Sequence, residues 1–156
     1  MMTRRDFVKV GSITAASLIA FPAIASATGV GKTVVIALIG CGGRGKGALR
    51  NIIEAAKIVG CNIKVAAFCD WFKNIAEKTR DDFNMPQAKV FYGGSGYKDV
   101  MAMEEVQAVL LVTPIGFRPL HFKAAVEAGK HVFEEKAVAV DGPGARMHLE
   151  AAKLSV

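Results

Sequence analysis

The stretch from Val34 to Gly47 constrains this chain more than any other: Val34-Val35-Ile36-Ala37-Leu38-Ile39, then Gly40-Cys41-Gly42-Gly43-Arg44-Gly45-Lys46-Gly47. A short apolar, β-branched run that breaks abruptly into glycines and then takes up helical periodicity is a strand, a tight turn and a helix N-terminus. Gly40, Gly42 and Gly45 satisfy G-x-G-x-x-G. The first glycine permits the turn, the second lets backbone approach a pyrophosphate, and the third lets helix and strand pack closely. The free N–H groups of the helix's first turn then face the anion, so the unit predicts a phosphate cradle.

The chain beyond it alternates in the same way. A helix is predicted from about Arg44 to Val59, with Leu49, Ile52, Ile53 and Ala56 on one face and Gly60 as its stop. A second apolar run, Ile63 to Cys69, closes in Asp70, and Trp71 to Phe83 reads as the next helix. Lys89 to Tyr92 is a short third strand followed by Gly93-Gly94-Ser95-Gly96. No long apolar strand delivers this second glycine cluster and only a short helix, about Tyr97 to Met103, follows it, so it is read as a loop. Val106 to Val112 is a fully apolar fourth strand ending in Thr113-Pro114. A helix from about Phe117 to Ala128 stops at Gly129, and a fifth strand runs from His131 to Glu134. Asp141-Gly142-Pro143 starts a last helix reaching about Leu154, with Asp141 as N-cap and Pro143 in the first turn. Fully apolar strands belong in a parallel sheet covered on both faces. The prediction is an α/β doubly wound parallel sheet of Rossmann type, ordered 3-2-1-4-5, whose loops after strands one, two, four and five share the carboxyl edge.

Asp70 carries two readings. As the acidic residue ending the second strand it accepts hydrogen bonds from the adenosine ribose hydroxyls of a dinucleotide and repels a 2′-phosphate, which selects NAD over NADP. As an aspartate before a helix it is a cap. It lies 25 residues beyond Gly45, against the roughly 20 of a dinucleotide site, a difference that a longer first helix explains. The glycine motif upstream favours the ligand.

Composition narrows the remaining classes. With 156 residues, 52% of them hydrophobic, the chain has enough for one domain with a core and too little for two. The net charge of +6 would suit a nucleic-acid partner, but Arg4, Arg5 and Lys9 belong to a targeting segment and the other basic residues are scattered. Without a basic stripe and interleaved aromatics, no nucleic-acid partner is expected. Cys41, Cys61 and Cys69 form neither a metal motif nor a disulfide framework, and no metal is expected. Cys41 and Cys69 end neighbouring strands, where a bridge is conceivable; small buried residues beside a crowded turn are the favoured reading.

Thr3-Arg4-Arg5-Asp6-Phe7-Val8-Lys9 resembles the twin-arginine export signal, with Val8 where leucine is usual. A moderately apolar segment from about Val10 to Ile24 follows, then Ala25-Ser26-Ala27, a small-residue cleavage site. The apolar run falls short of the roughly 20 residues of a bilayer span and carries Pro22. Residues 1–27 are therefore expected to be a signal peptide read by the export machinery, and residues 28–156 a domain exported to the periplasm or beyond. That route carries folded proteins, which suits one that loads a nucleotide in the cytoplasm.

Four features together resemble the Gfo/Idh/MocA family, the relatives of glucose-fructose oxidoreductase and inositol dehydrogenase: the Gly40 to Gly45 loop, Asp70, Thr113-Pro114, and Gly129-Lys130-His131-Val132-Phe133-Glu134-Glu135-Lys136. The last is similar to the family's Glu-Lys-Pro signature after the fifth strand, and the resemblance covers nearly all of residues 33–156. It implies a cofactor-binding set of Gly40, Gly42, Gly43, Arg44, Gly45, Asp70, Thr113, Pro114, Arg118, His121, Glu135 and Lys136. Glu135 and Lys136 would sit beside the nicotinamide and its ribose, with Lys136 as the catalytic candidate. Removing a hydroxyl proton during hydride transfer leaves a developing oxyanion that a nearby cation stabilises. Without that context, a Glu-Lys pair after a strand is a solvated surface pair.

Two positions depart from the pattern. Ala137 replaces the family's proline, which predicts a less rigidly held Lys136. Arg118 stands where relatives commonly have histidine, with His121 one turn later; Arg118 is read as a ligand of the pyrophosphate or of a substrate hydroxyl, or as a solvent-facing residue at the helix start. His121 and His148 look like ordinary helix-surface histidines, and no chemistry is assigned to His148. The family's second α/β domain, which carries most of the substrate pocket and the usual oligomer interface, would follow Val156, so the expectation is of a fragment that exposes apolar surface and is a homo-oligomer only at full length.

The resemblance implies an NAD-dependent oxidoreductase acting on a sugar or polyol. Its alternatives are an NAD-dependent glycoside hydrolase that works by transient oxidation and elimination, and a non-catalytic nucleotide-binding module.

Overall fold

The computed structural model describes residues 31–155, so the predicted export signal lies outside the described residues. Five strands and five helices alternate. They are β1 (Thr33–Ile39), α1 (Gly43–Ile58), β2 (Asn62–Asp70), α2 (Lys73–Asp82), β3 (Lys89–Tyr92), α3 (Gly96–Met101), β4 (Ala108–Leu111), α4 (Arg118–Glu127), β5 (His131–Glu134) and α5 (Gly142–Lys153), with one 3-10 turn, Ile115–Phe117, before α4. All strand pairs are parallel and the order is β3-β2-β1-β4-β5, as the sequence predicts.

β1 is the central strand, and its alternation explains why it is apolar from Val34 to Ile39. Ile36 and Leu38 point into a core shared with Leu49, Phe68, Ala76 and Leu110 beneath α1 and α2. Ala37 and Ile39 point into the opposite core, with Tyr97, Val100, Val109, Leu111 and Ala125 beneath α3 and α4. Period-two side chains that are buried on both faces leave no polar positions. α5 lies beyond α4, where the His148 ring stacks on Phe122 at 3.9 Å.

Element ends shift for local reasons. α2 begins at Lys73 because Phe72, at φ −99° and ψ 120°, is still extended. β4 is shorter than its apolar run, although the Gln107 N–H donates to Val35 O and the Val112 N–H to Ile39 O just outside it. Asp141 is the N-cap of α5, its Oδ1 accepting from the Gly144 N–H at 2.7 Å. Phe133, Val140, Leu149 and Leu154 are exposed on β5, on α5 and beside it. No helix among the described residues is long and apolar enough to cross a membrane.

Candidate functional site

The three motif glycines do two different jobs. Gly40 takes φ +97°, and a Cβ there would lie 2.5 Å from the Val112 carbonyl carbon, so this turn passes directly against the end of β4. A Cβ on Gly45 would lie 1.9 Å from Gly40 O, which places the first turn of α1 directly on the strand end. Gly42 and Gly43, by contrast, would have nothing within 4 Å of an added Cβ. Gly42 is the N-cap of α1 and no side chain caps the helix. Open space in front of uncapped N–H groups at a helix start is the geometry of an anion site.

Asp70 ties this loop to the next one. Its Oδ2 accepts from the Cys41 N–H at 2.8 Å and its Oδ1 from the Phe72 N–H at 3.1 Å. It is not the cap of α2, whose N-cap is Phe72 and has no side-chain cap. A carboxylate has about four acceptor positions, so two remain for a ligand.

A cavity of about 420 Å³ opens beside these groups, lined by Gly40, Gly42, Asp70, Trp71, Phe72, Gly93, Gly94, Tyr97, Thr113, Pro114, Phe117, Arg118 and His121 among others. The loop read at Gly93-Gly94 is thus a loop, and part of the wall. A Cβ on Gly94 would sit 3.2 Å from Trp71 Cζ3, so the indole lies close against that backbone. Trp71 stacks with Phe117 at 5.8 Å between ring centroids, Phe117 with His121 at 6.0 Å, and Tyr97 packs on His121 at 4.4 Å. Trp71, Tyr97 and Phe117 were not among the sequence candidates; an aromatic residue directly after the acidic end of β2 was the available signal.

His121 corrects the sequence expectation of a surface histidine. It is buried, its Nδ1 lies 3.3 Å from Thr113 Oγ1, and burial lowers its pKa from 6.5 to about 4, so the imidazole is neutral at physiological pH. Arg118 does not face solvent either. It is 6% exposed, its Nε donates to Thr113 O at 2.8 Å, and its Nη1 donates to Glu135 O and Ala137 O, each at 2.7 Å. His148 is also engaged: its Nε2 lies 2.5 Å from Glu134 Oε2, while Glu134 Oε1 is buried without a partner. Burial raises the Glu134 pKa against the opposing effect of that contact.

The loop after β5 approaches from the other side. Arg44 forms an ion pair with Glu135, its Nε 2.6 Å from Oε1, which holds the Glu135 carboxyl below its usual range. The pair joins the glycine loop to the Glu135-Lys136 segment across the carboxyl edge. Lys136 is exposed, and the Lys136–Ala137 peptide is cis. Gly43, Arg44, Gly45, Glu135 and Lys136 lie outside the lining of the cavity, whereas Gly40, Gly42, Asp70, Thr113, Pro114, Arg118 and His121 line it together.

Cys41 and Cys69 are free and buried, with the Cys41 thiol donating to Cys69 O at 3.4 Å. Burial, and then the charge of Asp70, push the Cys69 thiol up to about 12 and Cys41 higher still. Both are packed thiols and not a disulfide, the reading the sequence favoured.

A parallel sheet with a glycine turn, an uncapped helix start, an acidic β2 terminus and one cavity at the carboxyl edge defines a dinucleotide-binding domain of Rossmann type. The GFO_IDH_MocA family model, "Oxidoreductase family, NAD-binding Rossmann fold", matches residues 34–155. The chain belongs to this Gfo/Idh/MocA oxidoreductase family. It is 32% identical over 161 aligned residues to glycosyl hydrolase family 109 protein 2 of Shewanella sp. (strain ANA-3), covering 87% of this chain and 34% of that one. It is 32% identical over 119 residues to inositol 2-dehydrogenase of Agrobacterium fabrum, covering 76% and 33%. Among solved structures it is similar to myo-inositol 2-dehydrogenase from Lactobacillus plantarum, with a TM-score of 0.65, 25% identity, and coverage of 78% and 33%. The chain thus spans about a third of the length of these relatives.

Proposed function

We propose that this chain forms the cofactor-binding part of an NAD-dependent oxidoreductase acting on a sugar or polyol hydroxyl. The observation that carries this reading is the open space before the uncapped start of α1, directly beside the Asp70 carboxylate, in one cavity. The N–H groups of the first turn of α1 bind the pyrophosphate, and Asp70 accepts from the adenosine ribose and disfavours a 2′-phosphate. Trp71 and Phe117 offer aromatic faces to the base. Glu135 and Lys136 hold the nicotinamide end, with the Lys136 ammonium placed to stabilise the oxyanion left when a substrate hydroxyl gives up its proton. NAD supplies the hydride acceptor.

Calorimetry of the full chain with NAD, NADP and ADP-ribose tests this. NAD binding at least tenfold tighter than NADP supports it; no binding of any of the three overturns it.

The likeness to glycosyl hydrolase family 109 proteins supports a second reading, in which oxidation is transient and a glycoside is cleaved. Joined to a substrate domain, an oxidoreductase accumulates NADH with free sugar, whereas a hydrolase releases the leaving group of a chromogenic glycoside with no net NADH. The segment Thr3 to Lys9 and the Ala25-Ser26-Ala27 site support export of the folded domain. Replacing Arg4 and Arg5 by lysine should retain the protein in the cytoplasm; unchanged export overturns the twin-arginine reading.

A further inference from the structure

Arg118 makes more buried hydrogen bonds than the chemistry proposed for the site requires. It opens α4, is 6% exposed, and reaches three backbone carbonyls: Thr113 O through Nε, and Glu135 O and Ala137 O through Nη1. Glu135 and Ala137 are the two residues that flank Lys136. Residues 135–141 form neither helix nor strand, and Glu135 is tied to β4 by one backbone bond, its N–H to Leu111 O at 3.1 Å. A buried cation is costly unless its donors are used. Here Nη1 alone donates to both carbonyls that bracket one exposed lysine, while Nε of the same group donates to Thr113 O. The guanidinium is a rigid plane, so these bonds together tie the peptide planes on each side of Lys136 to the loop after β4.

We propose that Arg118 is a positioning residue, clasping both sides of Lys136 to the loop after β4 so that the lysine is held at the nicotinamide end of the cofactor. The proposal rests on the dinucleotide reading above. It also unites two departures seen separately in the sequence. Ala137 lacks the rigidity a proline would give this loop, and its carbonyl is one of the groups that Arg118 grips.

The test uses the full chain with Arg118→Met and Arg118→Lys. ADP reports the adenosine and pyrophosphate end, and NAD adds the nicotinamide and its ribose. Arg118→Met should weaken NAD at least tenfold and change ADP less than twofold. Arg118→Lys, whose single ammonium cannot hold Thr113 O and the two carbonyls around Lys136 from one rigid plane, should fall between. Adding Ala137→Pro to Arg118→Met should recover most of the lost NAD affinity, because proline fixes φ in the same loop. In the protein without cofactor, trypsin should cut after Lys136 at least tenfold faster in Arg118→Met and in Arg118→Lys than in the parent. Equal loss of NAD and ADP, or no loss of either, overturns the proposal, as does unchanged cleavage after Lys136. If Arg118→Met does not fold, Arg118→Lys carries both measurements. If the parent binds neither nucleotide, the cofactor reading fails, and the cleavage rates still decide the clasp.

Discussion

Gly42 and Gly45 lie three residues apart, and the structure predicts opposite consequences for the same substitution at each. In Gly45→Ala the new Cβ would sit 1.9 Å from Gly40 O, against the 3.4 Å or more of an ordinary contact, so α1 and the strand end would have to separate by about 1.5 Å. The obstacle is backbone and cannot rotate away. Overpacking of this kind costs about 1–3 kcal/mol and occasionally more, against a helix-propensity gain of at most about 1 kcal/mol. A backbone clash this close stands at the upper end of that range, about 3 kcal/mol, so the net loss is about 2 kcal/mol and lowers the melting temperature of a domain this size by about 6–12 °C. Gly42→Ala meets no atom within 4 Å, and φ −69° with ψ −172° is backbone that alanine adopts freely. Its poorer capping, about 0.5–1 kcal/mol, is offset by a similar gain from restricting the unfolded chain. It should leave the melting temperature within about 2 °C and weaken NADH tenfold or more by filling the space where a phosphate must approach. Thermal circular dichroism reads the first effect. Quenching of Trp71, the only tryptophan in the chain and part of the cavity wall, reads the second. Equal destabilisation by both alanines, or full NADH affinity in Gly42→Ala, would refute the division of labour.

Three further predictions follow from the same geometry. Asp70→Ala should weaken NAD at least fivefold more than NADP in calorimetry; equal losses would make Asp70 only the staple between the Cys41 and Phe72 amides. His121 has a folded pKa of about 4 against 6.5 unfolded, so the unfolded chain binds the extra proton between those values, and this group's contribution to stability falls as pH drops from 6.5 towards 4. The full shift would correspond to about 3 kcal/mol; access of cavity water to the ring reduces this to about 2 kcal/mol. Urea titrations from pH 4.5 to 7.5 should show that dependence as the difference between the parent and His121→Gln, which also cancels the opposite trend expected from the raised Glu134. A difference that does not change with pH would sink the assignment. A thiol reagent should modify the half-buried Cys61 rapidly in the native protein and Cys41 and Cys69 only on unfolding; two fast thiols would contradict the packing.

The fold was legible because its determinants are local. β3 and β5 fall where the apolar runs place them, and the order β3-β2-β1-β4-β5 follows from right-handed crossovers between parallel strands. The jobs of Gly40 and Gly45 were legible for the same reason, since both answer to backbone within a few residues of the motif or to the adjacent strand. Asp70 was only half legible. Its place at a strand end can be counted along the chain, but its bond to the Cys41 amide depends on the register that sets Ile39 beside Cys69.

The least legible element was α4, because its hydrophobic pattern points the wrong way. Its buried residues are Arg118, Pro119, His121 and Ala125, while Leu120 is 46% exposed. The buried positions 118, 121 and 125 recur at helical spacing, and two of the three carry polar side chains, so a periodicity argument assigns both to the surface. Each is buried because its polar atoms have somewhere to go: His121 to Thr113 Oγ1, Arg118 to carbonyls of two loops. Those partners are backbone and hydroxyl groups 5 to 19 residues away, brought together only by the parallel pairing of β4 with β5. Apolar side chains at 118 and 121 would satisfy packing but leave the carbonyls around Lys136 without their donor. The polar face of α4 is therefore what ties the cavity wall at Thr113 to the loop that carries Lys136.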